Sequence, residues 1–183
     1  WNESGFIAKS VIVMLAVMAL ATIVVAVERL IAFQRAQSQS VKLAGEIVGP
    51  LQSGDTAKAL AISKDEAYKV SYLAAVLRGG LAEMNERVDH YGVKNAERAV
   101  EKAIGEELSK LRRFMTILAT VGSTAPFVGL FGTTFGVINA FASMGDGGGL
   151  ASISTGISEA LITTGVGIGV AVLGVWIFNY FNG

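Results

Sequence analysis

Uncharged apolar stretches organise this chain at three places. Residues 10–27, "SVIVMLAVMALATIVVAV", carry no charge, and with residues 6–8 they reach the roughly 20 apolar positions that a helix needs to cross hydrocarbon. Lys9 sits at the edge, where its long side chain can snorkel toward an interface. Residues 114–143 are again uncharged, and in residues 150–181 the only charge is Glu159. Each of the two later runs corresponds to about 45 Å of helix against a hydrocarbon core of about 30 Å, so both are expected to tilt or to protrude into the cytoplasm. The pattern predicts an all-α polytopic membrane protein: a first span at 6–28, a helical cytoplasmic insert at 29–113, a second span at 114–143, a short periplasmic turn at 144–151 and a third span at 152–181.

The insert is polar but periodic. "SGDTAKALAI" opens with Ser53 or Asp55 as an N-cap and puts Ala57, Leu60 and Ala61 on one helical face. "EAYKVSYLAAVLRGGLAEM" reads as about five helical turns, with Gly79 and Gly80 a candidate break. In the last element Ala96, Val100, Ile104, Leu108 and Leu111 recur at three- and four-residue spacing. No proline or turn cluster separates this stripe from the second span, which predicts one helix of roughly 50 residues, about 75 Å, forming a stalk. The "GDGGG" stretch at 145–149 is expected to join two antiparallel helices tightly.

Composition agrees with a membrane chain. Of 183 residues 52% are hydrophobic and 16% charged, and the mean hydropathy is +0.53. Basic and acidic residues number 15 each, so no basic surplus points to nucleic acid. Of the basic residues only Lys9 lies outside 29–113. Arg29 and Arg35 follow the first span and Lys110, Arg112 and Arg113 precede the second, while the opposite flanks offer Glu3, Lys9 and Asp146. The positive-inside rule therefore predicts a periplasmic N-terminus with the insert and C-terminus in the cytoplasm. There is no cysteine, which excludes disulfides and thiolate chemistry. The lone His90 has no second histidine to share a metal with and is expected at the surface. The first apolar run is too long for a secretory signal, and "ERLIAFQR" after it lacks a small-residue cleavage pattern. Trp1 is not an initiator methionine and "FNYFNG" is not a polar ending, so both ends are expected to be incomplete.

The chemistry concentrates on polar residues inside the spans. Glu159 lies about nine residues, or roughly 14 Å, into the third helix, where a carboxylate costs about 2.5–3.5 kcal/mol unless it is protonated, paired or wet. Ser152, Thr155, Glu159 and Thr163 recur at helical spacing on one face, and Thr164 turns toward a helix boundary. Thr116, Thr120, Ser123 and Thr124 make a comparable stripe on the second span. Two such helices can wall a channel, although membrane hydroxyls also bond back to their own carbonyls as plain packing. Gly132 and Gly136, and Gly165, Gly167 and Gly169, are small residues spaced for close helix approach. The second set also mimics a phosphate loop, but it follows no strand and lies in lipid, so no nucleotide site is expected. Pro126 is expected to kink or loosen the second helix. No nucleophile–base pair, metal cluster or inverted repeat supports an enzyme or a solute transporter, and no cofactor is expected. Apart from Lys9 at an edge, the spans hold no aspartate, histidine, lysine or arginine, so any proton path needs water, further copies or a partner's acid.

"ILATVGSTAPFVGLFGTTFGVINAF" (117–141) and "GISEALITTGVGIGVAV" (156–172) closely resemble the paired signatures of the MotA/TolQ/ExbB proton-channel family, in its three-span ExbB/TolQ branch. "VERL" and "SGDTAKALAI" are similar to that branch as well. The resemblance implies a homo-oligomeric ring, a pentamer, around the membrane helices of two ExbD/TolR-like subunits that bring an aspartate. It implies inner-membrane location and proton-driven work through a TonB/TolA-like or gliding-machinery protein. Motif on motif, Thr124 falls on a pore-facing threonine, Glu159 on the family glutamate and Thr164 on a second threonine, with Thr120 and Thr163 beside them. Where many relatives have "APGI" before the glutamate this chain reads "STGI", and the later proline is missing. TonB, Tol-Pal and gliding systems stay open on these residues, as does a passive scaffold that assembles partner helices without conducting ions.

Overall fold

The computed structural model describes residues 3–86, 89–145 and 149–182. Among them the elements are α1 (Glu3–Gln52), α2 (Thr56–Ser63), a 3-10 turn at Glu66–Tyr68, α3 (Tyr72–Glu86), α4 (His90–Leu111), α5 (Met115–Gly145) and α6 (Leu150–Asn182). The fold is all-helical, and stretches over Phe6–Gln52, Met115–Ser143 and Leu150–Asn182 are long and apolar enough to cross a membrane. The turn expected at "GDGGG", with Asp146, lies outside the described residues. The chain divides into two compact units, one of Trp1–Val27 with Phe114–Gly183 and one of Glu28–Arg113.

In the first unit the start of α1 packs on α5 and α6. Val11 and Leu15 are buried with Val121, Ala125, Val170 and Ala171, and Val25, Met115 and Leu118 form a second cluster with Ile177, Phe178 and Phe181 beside it. An apolar solvent supplies no hydrophobic drive between such helices, so close backbone approach has to hold them. Glycine provides it. A Cβ on Gly167 would stand 2.7 Å from the Ala125 carbonyl oxygen, and one on Gly129 would stand 3.1 Å from the Thr163 carbonyl oxygen. Gly132 and Gly136 belong to the same seam: a Cβ would meet Val11 Cγ1 and Ala160 Cβ respectively, each at 2.7 Å. Gly165 and Gly169 do not, because nothing lies within 4 Å of the Cβ either would carry. Two residues turn a helix by about 200°, so the glycines flanking Gly167 point away from the face that Gly167 closes. Helix α5 continues through the half-buried Pro126 from Met115 to Gly145.

The second unit is built on Leu43 and Ile47 of α1, which are buried with Ala59, Tyr68, Ala74 and Leu81. Asp55 caps α2 by accepting from the Lys58 backbone N–H at 2.9 Å. The face it buries holds Ala59 and Ser63 with Leu60 partly covered, whereas the expected Ala57 and Ala61 are exposed. The next helix does not run unbroken from residue 66. Asp65 caps the 3-10 turn, and the chain restarts as α3 at Tyr72. Gly79 and Gly80 do not interrupt α3; they let it approach α4, since a Cβ on Gly80 would meet Val100 Cγ2 at 2.7 Å and one on Gly79 the Ala99 oxygen at 3.2 Å.

The 50-residue helix expected across residues 94–143 is absent, because α4 ends at Leu111 and α5 begins at Met115. Between them Phe114 takes a left-handed φ of 66°, a conformation that costs a non-glycine residue about 1–2 kcal/mol. The end of α4 is held from a distance: the guanidinium of Arg29, 5% exposed, donates to the Lys110 and Leu111 carbonyls at 3.1 and 3.2 Å. Those are the orphan acceptors that any helix leaves at its C-terminus. The 50-residue helix of this chain is instead α1. On α4 the predicted stripe is only partly covered: Ala96 is buried, while Ile104 and Leu108 are 43% and 48% exposed. His90 is exposed at the start of that helix.

Candidate functional site

A sequence whose only charge is Glu159 and a backbone satisfied within the helix make α6 one continuous run, which fixes where each polar side chain leaves it. Its hydroxyls fold back on the helix. Ser152, Thr155 and Ser158 donate to the Gly149, Ala151 and Ser154 carbonyls, and Thr163, 8% exposed, donates to the Glu159 carbonyl at 3.1 Å. The α5 stripe behaves alike: Thr120 donates to the Thr116 carbonyl at 2.8 Å, and Ser123 and Thr124 donate to the Thr120 carbonyl at 3.0 and 2.7 Å.

Thr164 is different. Its hydroxyl reaches across to the Gly129 carbonyl of α5 at 3.2 Å and contacts the Thr133 hydroxyl. The single Thr133 hydroxyl proton in turn has two carbonyl acceptors within reach, Gly129 at 3.1 Å and Ala160 at 3.2 Å. This pair of threonines is a polar clasp between the two helices, placed where the glycines bring the backbones together. Sequence reasoning placed Thr164 at a helix boundary and passed over Thr133; the signal was a hydroxyl directly beside Gly132 in a helix-approach motif.

Glu159 occupies the flank of α6. Its side chain is exposed and its carboxylate has no hydrogen bond or ion pair with any described residue. It borders a small cavity of about 190 Å³ with Ile12, Leu15, Ile162, Thr163 and Val166. Thr124 opens elsewhere, onto an apolar cavity of about 600 Å³ walled by Phe127 and Phe131 and by Phe6, Val11 and Met14 of α1. One chain thus brings Glu159 beside Thr163, and Thr124 over Thr120, but it does not bring Thr124 and Glu159 to a common cavity. Among the described residues nothing comes within 4 Å of the Cβ that Gly165 or Gly169 would carry; Glu159 stands about 120° and about 80° round α6 from them, on the flank where Ile12 and Leu15 of α1 share its cavity. Among the described residues no group of three or more His, Cys, Asp or Glu side chains could hold a metal.

Comparison with known proteins meets this geometry on the same segments. Residues 69–183 match the model of the MotA/TolQ/ExbB proton channel family. The chain is 40% identical over 106 residues to the biopolymer transport protein ExbB of Xanthomonas campestris pv. campestris, covering 57% of this chain and 40% of that protein. It is 37% identical over 115 residues to the Tol-Pal system protein TolQ of Pseudomonas aeruginosa, covering 58% and 50% respectively. A shorter segment of 67 residues is 48% identical to ExbB of Pseudomonas putida, covering 36% and 20%. The chain thus spans half or less of the length of these curated relatives. The matched region takes in the glycine seam, the threonine clasp and the intramembrane carboxylate, and the chain belongs to the MotA/TolQ/ExbB proton channel family.

Proposed function

We propose that this chain is the ring-forming subunit of a proton-motive-force-driven motor in the bacterial inner membrane, working with ExbD/TolR-like single-span partners. The observation that carries the reading is Glu159, an exposed carboxylate without a hydrogen-bond or ion-pair partner among the described residues, on a helix apolar enough to span a bilayer. Facing lipid it would cost about 2.5–3.5 kcal/mol, whereas facing a wet interior enclosed by several copies and a guest helix it costs little. The glycines at 165 and 169 leave the side of α6 away from α5 without bulk, so a helix of a neighbouring subunit can pack closely there, next to the flank that carries Glu159. In this reading Glu159 accepts or steers protons that a partner's acid carries, Thr164 holds α6 to α5, and Thr120, Thr124 and Thr163 line or support the path. Each proton crossing releases about 2.3 kcal/mol per 100 mV, enough for a few protons to perform mechanical work. The ring is a pentamer, the N-terminus is periplasmic and the polar unit is cytoplasmic. The output is energised envelope transport, envelope integrity or gliding, and the role is conduction with no bond-making chemistry.

One observation favours a second reading, a scaffold that assembles partner helices without conducting: the hydroxyls of Thr120 and Thr124 are engaged with carbonyls of their own helix. Proton flux separates the two. The full chain co-purified with its genomic-neighbour single-span partner and placed in liposomes under a pH gradient is expected to conduct only when both proteins are present. Glu159→Ala is expected to abolish conduction while the complex stays assembled. Partner-independent or absent flux, or unchanged flux in Glu159→Ala, overturns the motor reading.

A further inference from the structure

A second feature lies in the polar unit. A cavity of about 570 Å³ is lined there by six cationic side chains, Arg29, Arg35, Lys69, Arg78, Lys110 and Arg113, against two carboxylates, Glu28 and Glu107. All of these residues belong to the unit Glu28–Arg113, and the volume falls in the roughly 300–1,000 Å³ of small-ligand sites. Local pairing neutralises part of the charge: Arg29 pairs with Glu28, Lys110 with Glu107 and, at 4.0 Å, Lys69 with Glu66. Arg35 and Arg78 have no carboxylate partner among the described residues, and the one hydrogen bond from Arg78, to the Ala74 carbonyl, uses its Nε. Two guanidinium groups are therefore presented to one cavity, a donor arrangement that fits phosphate oxygens.

The rest of the lining narrows the ligand. Ile31, Val70 and Leu111 give the same cavity an apolar side, which suits an amphiphile better than a fully hydrated anion. Chain continuity sets the depth. Glu28 and Arg113 are joined by single peptide bonds to the apolar runs ending at Val27 and beginning at Phe114. Because α1 is one helix, Arg29 and Arg35 lie about 3 and 12 Å beyond Val27 along its axis, at headgroup level for a membrane-spanning chain.

We infer that this cavity binds the phosphate headgroup of an anionic phospholipid, with Arg35 and Arg78 as its ligands and the acyl chains leaving over the apolar side. The inference rests on the spanning of the membrane by α1 and α5, and is independent of proton conduction. Basic pockets at the ends of membrane helices are suited to such headgroups.

Native mass spectrometry of the purified full chain, offered equal amounts of phosphatidylglycerol and phosphatidylcholine, tests it. The expected result is at least about tenfold preferential retention of phosphatidylglycerol, lost in Arg35→Gln/Arg78→Gln and kept in Lys58→Gln/Lys64→Gln, which removes the same charge elsewhere on the polar unit. Circular dichroism of the variants confirms that each is folded, and Arg35→Gln alone, at an exposed position, is expected to weaken retention partially. Equal retention of both lipids, or equal loss in the two double variants, reduces the effect to general surface charge and overturns the site. Displacement of the lipid by millimolar glycerol phosphate assigns the cavity to a soluble phosphate. If an acidic peptide binds where neither lipid does, the cavity is a protein-docking surface. Either outcome overturns the lipid assignment.

Discussion

The two sides of α6 differ in what a single chain does for them. One side, carrying Ala160, Thr163, Thr164, Gly167 and Gly174, is closed on α5 so tightly that backbone meets backbone. The opposite side, carrying Gly165 and Gly169, meets no described residue at the glycines, and Glu159 stands exposed on the flank between the two sides. The same residue type thus serves two ends two positions apart. Gly167 is small because a neighbour is already there, and Gly165 is small without any neighbour among the described residues. The difference teaches that the closed side belongs to the folding of the protomer and the open side to whatever assembles on it.

Substitution at the paired glycines breaks or confirms this contrast with the largest expected effect. In Gly167→Ala the new methyl stands 2.7 Å from a backbone oxygen that no rotamer change can move, so overpacking of about 1–3 kcal/mol is expected to outweigh the helix-propensity gain of roughly 1 kcal/mol. Reversible unfolding in mixed micelles is expected to show a destabilised protomer. In Gly165→Ala the methyl enters open space, so the protomer keeps its stability or gains up to about 1 kcal/mol, while assembly with the partner weakens. Equal behaviour of the two variants in both assays would erase the distinction between the sides.

The clasp comes next in size. Thr164→Val removes the hydrogen bond to the Gly129 carbonyl and the contact with Thr133, and a loss of about 0.5–1.5 kcal/mol is expected in the same unfolding assay. Thr124→Val removes only a bond to its own helix at an exposed position, so a change within about 0.5 kcal/mol is expected. If Thr124→Val nevertheless suppresses proton flux, the threonine acts on the open side of the assembly and not in the protomer.

The smallest effect is expected far from α6. Hydrogen bonding to the Glu46 carboxylate, followed by burial, raises the Tyr68 pKa above the ordinary tyrosine value. A raised folded-state pKa means stability that is complete below the unfolded value, about 10, and is lost as pH climbs through the higher folded value. Alkaline titration of helicity is therefore expected to show a small loss above about pH 10 that Tyr68→Phe removes. The open side of α6 is expected to leave this titration untouched.

Much of this architecture was legible in the sequence, and what was hidden had a common physical origin. The spans were legible because absence of charge over about 20 residues has few other meanings. Thr164 could be placed at a helix boundary from angle alone. The break at residues 112–114 could not, since no glycine or proline marks it and its stabilising partner, Arg29, lies 81 positions from the first carbonyl it holds. Gly79 and Gly80 misled for the same reason: whether a glycine interrupts a helix or admits a neighbour depends on α4, which a local window does not contain. Glu159 was conspicuous in the sequence, yet its separation from Thr124 within one chain needed coordinates.

Because the sequence has no cysteine, a nitroxide attached to Glu159→Cys reports on one place. In the reconstituted assembly with its partner, power-saturation spectroscopy compares quenching by a water-soluble nickel chelate with quenching by membrane-dissolved oxygen. Dominant access of the chelate, reduced when the partner is omitted or replaced, is the result expected if the Glu159 flank of α6 faces an enclosed wet interior. Dominant access of oxygen at that position, as for a lipid-facing site, would contradict it.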